Sequence, residues 1–287
     1  MDSIYKSKSA EEQLLQIYDK SVNAMGLPYK DHMIETRYGK THVLEFGDPD
    51  AKPLVVFHGG NSINPLTLIW YKELITKYRV IAPDTIGHPG KSEQKRISPT
   101  DNSYGEWASD VFESMDIDKA FVMGTSYGAG IALRLTTVAP QKIEKLALLI
   151  PSGIVKMSVK AMLQMLIPML IYKIAPSDKN MIKFLRPMMT EEPSRDLMDL
   201  MDIVNRKVII EKEMPKIATI EELNQFKAPV LIFASDNDLF FPAAKVIPRI
   251  KELFINVKGA ITLKNSKHFP SKDGLIGVNI ELMNFFK

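Results

Sequence analysis

Apolar positions along this chain fall into two alternating patterns. Short apolar runs stand at residues 54–57, 79–82, 120–123, 145–150, 229–234 and 260–263, each of strand length. Most are separated by stretches with apolar residues at helical spacing. Wholly apolar strands that alternate with helices predict an α/β fold with a mostly parallel sheet flanked by helices on both faces. Ahead of them, residues 10–25 read as an amphipathic helix, and residues 31–47 alternate as a hairpin turning at Tyr38-Gly39. The strand signal fails between about Ser152 and Leu223, a helical stretch that holds ten of the 16 methionines. This predicts a core of residues 1–151 and 226–287, with residues 152–225 inserted as a helical lid.

Ligands of such sheets bind beyond the carboxyl ends of the strands, so the chemistry is sought there. The run 120–123 leads into Gly124-Thr125-Ser126-Tyr127-Gly128 and then into a helix of small residues. G-x-S-x-G between strand and helix is a nucleophile elbow, a turn so sharp that only small residues fit beside the serine. The run 229–234 is followed by Ser235-Asp236-Asn237-Asp238, with Pro242 close behind. The run 260–263 is followed by His268, the only histidine after the elbow. Serine, then acid, then histidine is the chain order of α/β-hydrolases, and two carboxylates are available for the middle place.

From about residue 40 to its end the chain resembles the α/β-hydrolase family, and within it the lid-bearing serine esterases such as the bacterial carboxylesterases. The resemblance also rests on His58-Gly59-Gly60 after the run 54–57, where this family has its oxyanion loop. Asp84, Gly87, Gly90 and Ser92 are similar to the family's D-x-x-G-x-G-x-S loop, with Pro89 as one extra residue between the glycines. The resemblance implies an α/β-hydrolase fold with Ser126 as nucleophile and His268 as its base. It implies Asp238 as the acid, because members carry it four residues before a proline. Asp236 then reads as an exposed turn residue. The oxyanion donors implied are the backbone N–H groups of Tyr127 and Gly60, with Asn61 as a substitute for Gly60.

These residues imply acyl transfer through an acyl-enzyme, and hence a carboxylesterase for small to medium apolar esters. A serine at the elbow excludes the aspartate nucleophile of dehalogenases and epoxide hydrolases. Thioesterases, lactonases, carbon–carbon bond hydrolases and aminopeptidases share the serine triad, and some hydrolase folds act as receptors with little turnover. The lid methionines either meet an apolar substrate or form the lid's own core.

The other polar residues add little chemistry. His58 is expected to shape the oxyanion loop, His88 to be an exposed loop residue, and His32 and His42 to have no chemical role. Asp196, Asp199 and Asp202 read as the solvated face of a helix, so no metal is expected, and Gly90-Lys91-Ser92 lacks the glycine that a phosphate loop needs at Thr85. No cofactor is expected. A net charge of +3 with interspersed signs predicts no nucleic-acid partner. The absence of cysteine excludes disulfides and agrees with a cytoplasmic location. The apolar stretch from Ala161 to Ala175 is interrupted by Gln164, Pro168 and Lys173 and is shorter than the ~20 residues that span a bilayer, so no membrane partner is expected. The expected partner is a small-molecule ester; the oligomeric state is left open.

Overall fold

The computed structural model describes residues 3–287. Eight strands form one sheet: β1 (Tyr29–Thr36), β2 (Gly39–Phe46), β3 (Pro53–Phe57), β4 (Arg79–Pro83), β5 (Ala120–Thr125), β6 (Ile143–Leu149), β7 (Val230–Ser235) and β8 (Val257–Leu263). Their spatial order is β1-β2-β4-β3-β5-β6-β7-β8. The expected hairpin is β1 and β2, with Thr36 opposite Gly39 across the turn. β2 also runs antiparallel to β4, and all other neighbours are parallel.

The first helices are α1 (Lys8–Ala24), α2 (Asn64–Leu68), α3 (Lys72–Ile75), α4 (Ser103–Ser114) and α5 (Tyr127–Val138). After β6 come α6 (Val159–Ile174), α7 (Asp178–Leu185), α8 (Arg195–Lys207) and α9 (Ile220–Leu223). The last two are α10 (Ala243–Leu253) and α11 (Lys272–Phe285). Between β6 and β7 the described residues form isolated bridges but no strand.

Period-two alternation along the central strands builds a core on each face of the sheet. On β5, Ala120 and Val122 join a cluster with Trp107 and Phe112 of α4, Ile131 of α5 and Val246 of α10. Phe121 and Met123 point the other way, into a cluster with Tyr18 of α1, Leu74 of α3 and Leu282 of α11. A third, smaller core joins α6, α7 and α8 through Tyr172, Met181, Phe184, Leu185 and Met198.

One buried ion pair fastens the segment after α8 to the sheet. The Arg134 side chain on α5 is 1% exposed, and its guanidinium donates to both carboxylate oxygens of Glu222 on α9, at 2.9 and 3.2 Å. Glu222 also closes a capping box with Thr219. Burial pushes the Glu222 carboxyl up, but hydrogen bonds from Arg134, Lys216 and the Thr219 N–H outweigh it and hold it at about 2, below its ordinary 4.5. A depressed carboxyl stabilises the fold fully above its unfolded value, and this is lost as pH falls through the folded one. Glu222→Gln keeps the shape but leaves a buried guanidinium without its counter-charge, at a cost of about 3 kcal/mol. Urea unfolding of both proteins should show this gap at pH 7 and a shrinking gap below pH 4.5.

Candidate active site

Ser126 sits between the end of β5 and the first turn of α5 with φ 52° and ψ −113°, a left-handed conformation that a residue with a Cβ rarely adopts. Its N–H donates to the Leu149 carbonyl (2.9 Å), and its own carbonyl accepts from the Ser152 hydroxyl (2.9 Å) and N–H (3.2 Å). The flanking glycines are needed for contact. A Cβ on Gly128 would lie 2.2 Å from the Phe57 carbonyl oxygen, and one on Gly124 would lie 2.5 Å from the Gly128 carbonyl oxygen. The serine is thus held high on a turn that presses against β3.

Three separate segments converge on this turn. Ser126 Oγ lies 2.9 Å from His268 Nε2, and His268 Nδ1 lies 2.8 Å from Asp238 Oδ2. A carboxylate only accepts, so Nδ1 carries the ring proton and Nε2 accepts from the serine. The other Asp238 oxygen accepts from the N–H groups of Phe240 (2.8 Å) and Phe241 (3.2 Å), and both Asp238 and His268 are buried. Phe240 stands edge-on to the imidazole at 4.9 Å, with Phe241 and Phe269 at 6.1 and 6.0 Å. Asp236 does not reach His268. It accepts from the N–H groups of Asn265 and Ser266, each at 3.0 Å, and so braces the loop that carries the histidine. Burial raises the Asp236 carboxyl, but these N–H donors more than reverse it.

The loop after β3 lies against the serine. A Cβ on Gly60 would fall 2.9 Å from the Tyr127 Cβ, so the Gly60 backbone lies against the Tyr127 side chain. Asn61 is already engaged: its N–H donates to His88 Nδ1 (3.2 Å), which removes it as a substitute donor. Its side chain donates to the Glu211 carbonyl (2.8 Å) and accepts from the Glu211 N–H (2.7 Å). The loop is therefore clasped to the chain that returns from α8. His58 behind it donates from Nδ1 to the Gly59 carbonyl and accepts at Nε2 from the Thr85 N–H (2.9 Å).

One histidine departs from the sequence reading, and a second lies in surroundings that the sequence does not show. His88 is buried rather than exposed, roofed by Tyr127 at 4.7 Å and Tyr104 at 6.3 Å. Burial, with the nearby charges of His58 and Arg96, holds its imidazole well below the ordinary value and keeps Nδ1 an acceptor. His42 lies in a buried network, 3.0 Å from Asp84 and 2.7 Å from Asp31, with the Tyr18 hydroxyl also donating to Asp84 (2.8 Å). Burial pulls the His42 imidazole down, but the two carboxylates outweigh it and raise it. The polar pattern of the sequence carries no signal for either.

The segment between β6 and β7 reaches the histidine. The Phe269 N–H donates to the Met188 carbonyl (2.8 Å), and Thr190 Oγ1 accepts from the Lys267 N–H (2.8 Å) and donates to the Phe269 carbonyl (2.7 Å). Phe240 and Phe269 pack onto the third core together with Met165 and Met169, whereas Met162 is 53% exposed. Asp196 pairs with Lys20, Asp199 with Arg195 and Asp202 with Arg206. A surface cleft of about 600 Å³ lies between α1, α7 and α8, and Ser126 is not part of its lining.

The model of the alpha/beta hydrolase fold family matches residues 52–173. The protein named "Uncharacterized carboxylesterase nap" of Bacillus subtilis strain 168 is 25% identical, over 94% of this chain and 91% of its own length. Carboxylesterase YbfK of the same organism is 24% identical, over 94% of this chain and 92% of its own. The crystal structure of naproxen esterase (carboxylesterase NP) from Bacillus subtilis superposes with a TM-score of 0.82, covering 96% of this chain and 98% of its own at 24% identity. The chain is an α/β-hydrolase-fold protein, and over nearly its whole length it resembles the bacterial carboxylesterases.

Proposed function

We propose that this protein is a serine carboxylesterase that cleaves small to medium apolar esters through an acyl-enzyme, and that residues 152–225 are its lid. The unbroken hydrogen-bond chain from Ser126 through His268 to Asp238 carries the reading. In this reading His268 Nε2 takes the Ser126 proton as Oγ attacks the ester carbonyl, then returns a proton to the leaving alcohol. Asp238 holds the ring in the tautomer that leaves Nε2 free to accept, and stabilises the imidazolium as it forms. The negative charge on the carbonyl oxygen is met by the backbone N–H groups of Tyr127 and Gly60, each worth ~3 kcal/mol in a site closed to water. Full-length similarity to named carboxylesterases supports an ester as the substrate. A location in the cytoplasm belongs to the same proposal and is supported by the absence of cysteine.

Ser126→Ala deletes one hydroxyl and should leave the fold intact while lowering turnover of a nitrophenyl ester by on the order of 10⁴ to 10⁶. A folded variant within tenfold of wild type, free of contaminating esterase, sinks the proposal.

The two acids should separate in two readouts. Asp238→Asn reverses the imidazole tautomer and should cost on the order of 10⁴ in kcat with little change in stability. Asp236→Ala should keep most of kcat but destabilise the fold by about 1 kcal/mol, because the Asn265 and Ser266 N–H groups exchange their acceptor for water. Equal losses of kcat would leave the acid unassigned; the reverse order would move it to Asp236.

Chain-length preference tests the lid. Met165 and Met169 share a core with the rings beside His268, so an acyl chain lengthened from acetate toward hexanoate should raise kcat/KM by up to about fourfold per buried methylene. Met165→Ser with Met169→Ser should flatten this profile and spare acetate. A folded double variant with an unchanged profile would make these methionines lid core alone.

A further inference from the structure

Helix α6 is apolar on both sides, a composition that normally belongs to a fully buried helix. Its inward residues, Ala161, Met165, Met169 and Tyr172, meet the lid core or lie buried. Outward it presents Met162, Leu163, Leu166, Ile167, Leu170 and Ile171, two adjacent rows that each step by four residues and so form one stripe. Val159 (72% exposed) and Ile174 (85% exposed) extend the stripe to both ends of the helix. A continuous exposed apolar face of this length marks an interaction site rather than ordinary surface.

Charge identifies what covers it. From residue 146 to residue 177 the chain contains no Asp or Glu, while lysines stand at 156, 160 and 173. Beyond burial, the charges that bear on Lys173 are those of Lys6 and Lys212, and all three effects lower its ammonium, so further positive charge gathers at the C-terminal end of the stripe. A second copy docked on this face by a twofold axis would set the patch against itself, lysine facing lysine along its rim. An apolar stripe rimmed by lysine instead complements an anionic lipid surface, in which the stripe enters the acyl boundary and the ammonium groups meet headgroup phosphates. The 16-residue helix is about 24 Å long, short of the ~30 Å hydrocarbon layer, so it lies flat. No helix among the described residues is long and apolar enough to cross a membrane.

We propose that the outer face of α6 docks this protein on the surface of a membrane containing anionic phospholipid. The expectation of no membrane partner rested on length, which bears on spanning and not on surface binding. The docked face lies on the helix whose other side covers the core that reaches Phe240 and Phe269, beside His268.

Cosedimentation of the whole protein with vesicles tests this independently of any hydrolysis. One set is pure phosphatidylcholine and the other contains about one third phosphatidylglycerol, for which binding should be stronger by on the order of tenfold or more and should weaken with salt. Leu163→Ser, Ile167→Ser and Leu170→Ser together should abolish binding while leaving turnover of a water-soluble acetate ester unchanged. Lys156→Gln with Lys173→Gln leaves the apolar face intact and should remove most of the preference for anionic vesicles, which keeps the test open if the triple variant misfolds. Wild type that stays in the supernatant with both vesicles overturns the proposal, as does equal binding to both. A wild-type dimer in sedimentation equilibrium, dissolved by the triple variant and indifferent to vesicles, would assign the face to a second copy instead.

Discussion

The site depends on one steric constraint, the close approach of the β5–α5 turn to the end of β3. Ser126 can hold its left-handed backbone only because Gly124 and Gly128 allow main chain to touch main chain, and because Leu149 and Ser152 saturate the hydrogen bonds of the strained residue. The same contact decides where the oxyanion loop lies. Gly128 rests on the carbonyls of Phe57 and His58, so the residues directly after them are brought against Tyr127. Nucleophile and candidate oxyanion donors are therefore set by one packing event and not by separate loops that must find each other.

The base and acid reach this turn by topology. β5, β6, β7 and β8 are adjacent and parallel, so the loops after β5, β7 and β8 open at one edge of the sheet. Parallel pairing brings them only into the neighbourhood. The final ångströms come from hydrogen bonds to the main chain: Asp236 holds Asn265 and Ser266, the N–H groups of Phe240 and Phe241 hold Asp238, and Met188 with Thr190 holds the residues on either side of His268. Aromatic rings on His268 then keep water from competing for the chain of hydrogen bonds.

These two layers differ in how far the sequence discloses them. The strands, the elbow and the order of Ser126, Asp238 and His268 are legible because each is a local pattern: an apolar run followed by a turn with a particular residue in it. The helical segment between β6 and β7 is legible for the same reason, as a break in the alternation. Its strap to the histidine is not, since Thr190 and Lys267 are 77 residues apart, and the Asn61–Glu211 clasp joins residues 150 apart. A side chain that bonds a distant backbone group has no period and no composition. His88 shows the same limit: a polar residue in a polar loop reads as exposed, and only Tyr104 and Tyr127, brought over it by α4 and α5, make it buried.

Helix α6 shows where a local pattern is read correctly and still misleads. Its length and its interruptions rule out a membrane span, and a helix packed on an apolar core needs an apolar underside, which Met165 and Met169 supply. That need explains one side of the helix. The opposite side would be expected to carry the charged residues seen on α8, where Asp196, Asp199 and Asp202 alternate with buried Leu197, Leu200 and Ile203. Two helices of one segment, folded onto the same core, thus obey different rules outward. Packing onto the core accounts for both faces of α8 and for only one face of α6, and the proposed membrane contact is what would cover the other.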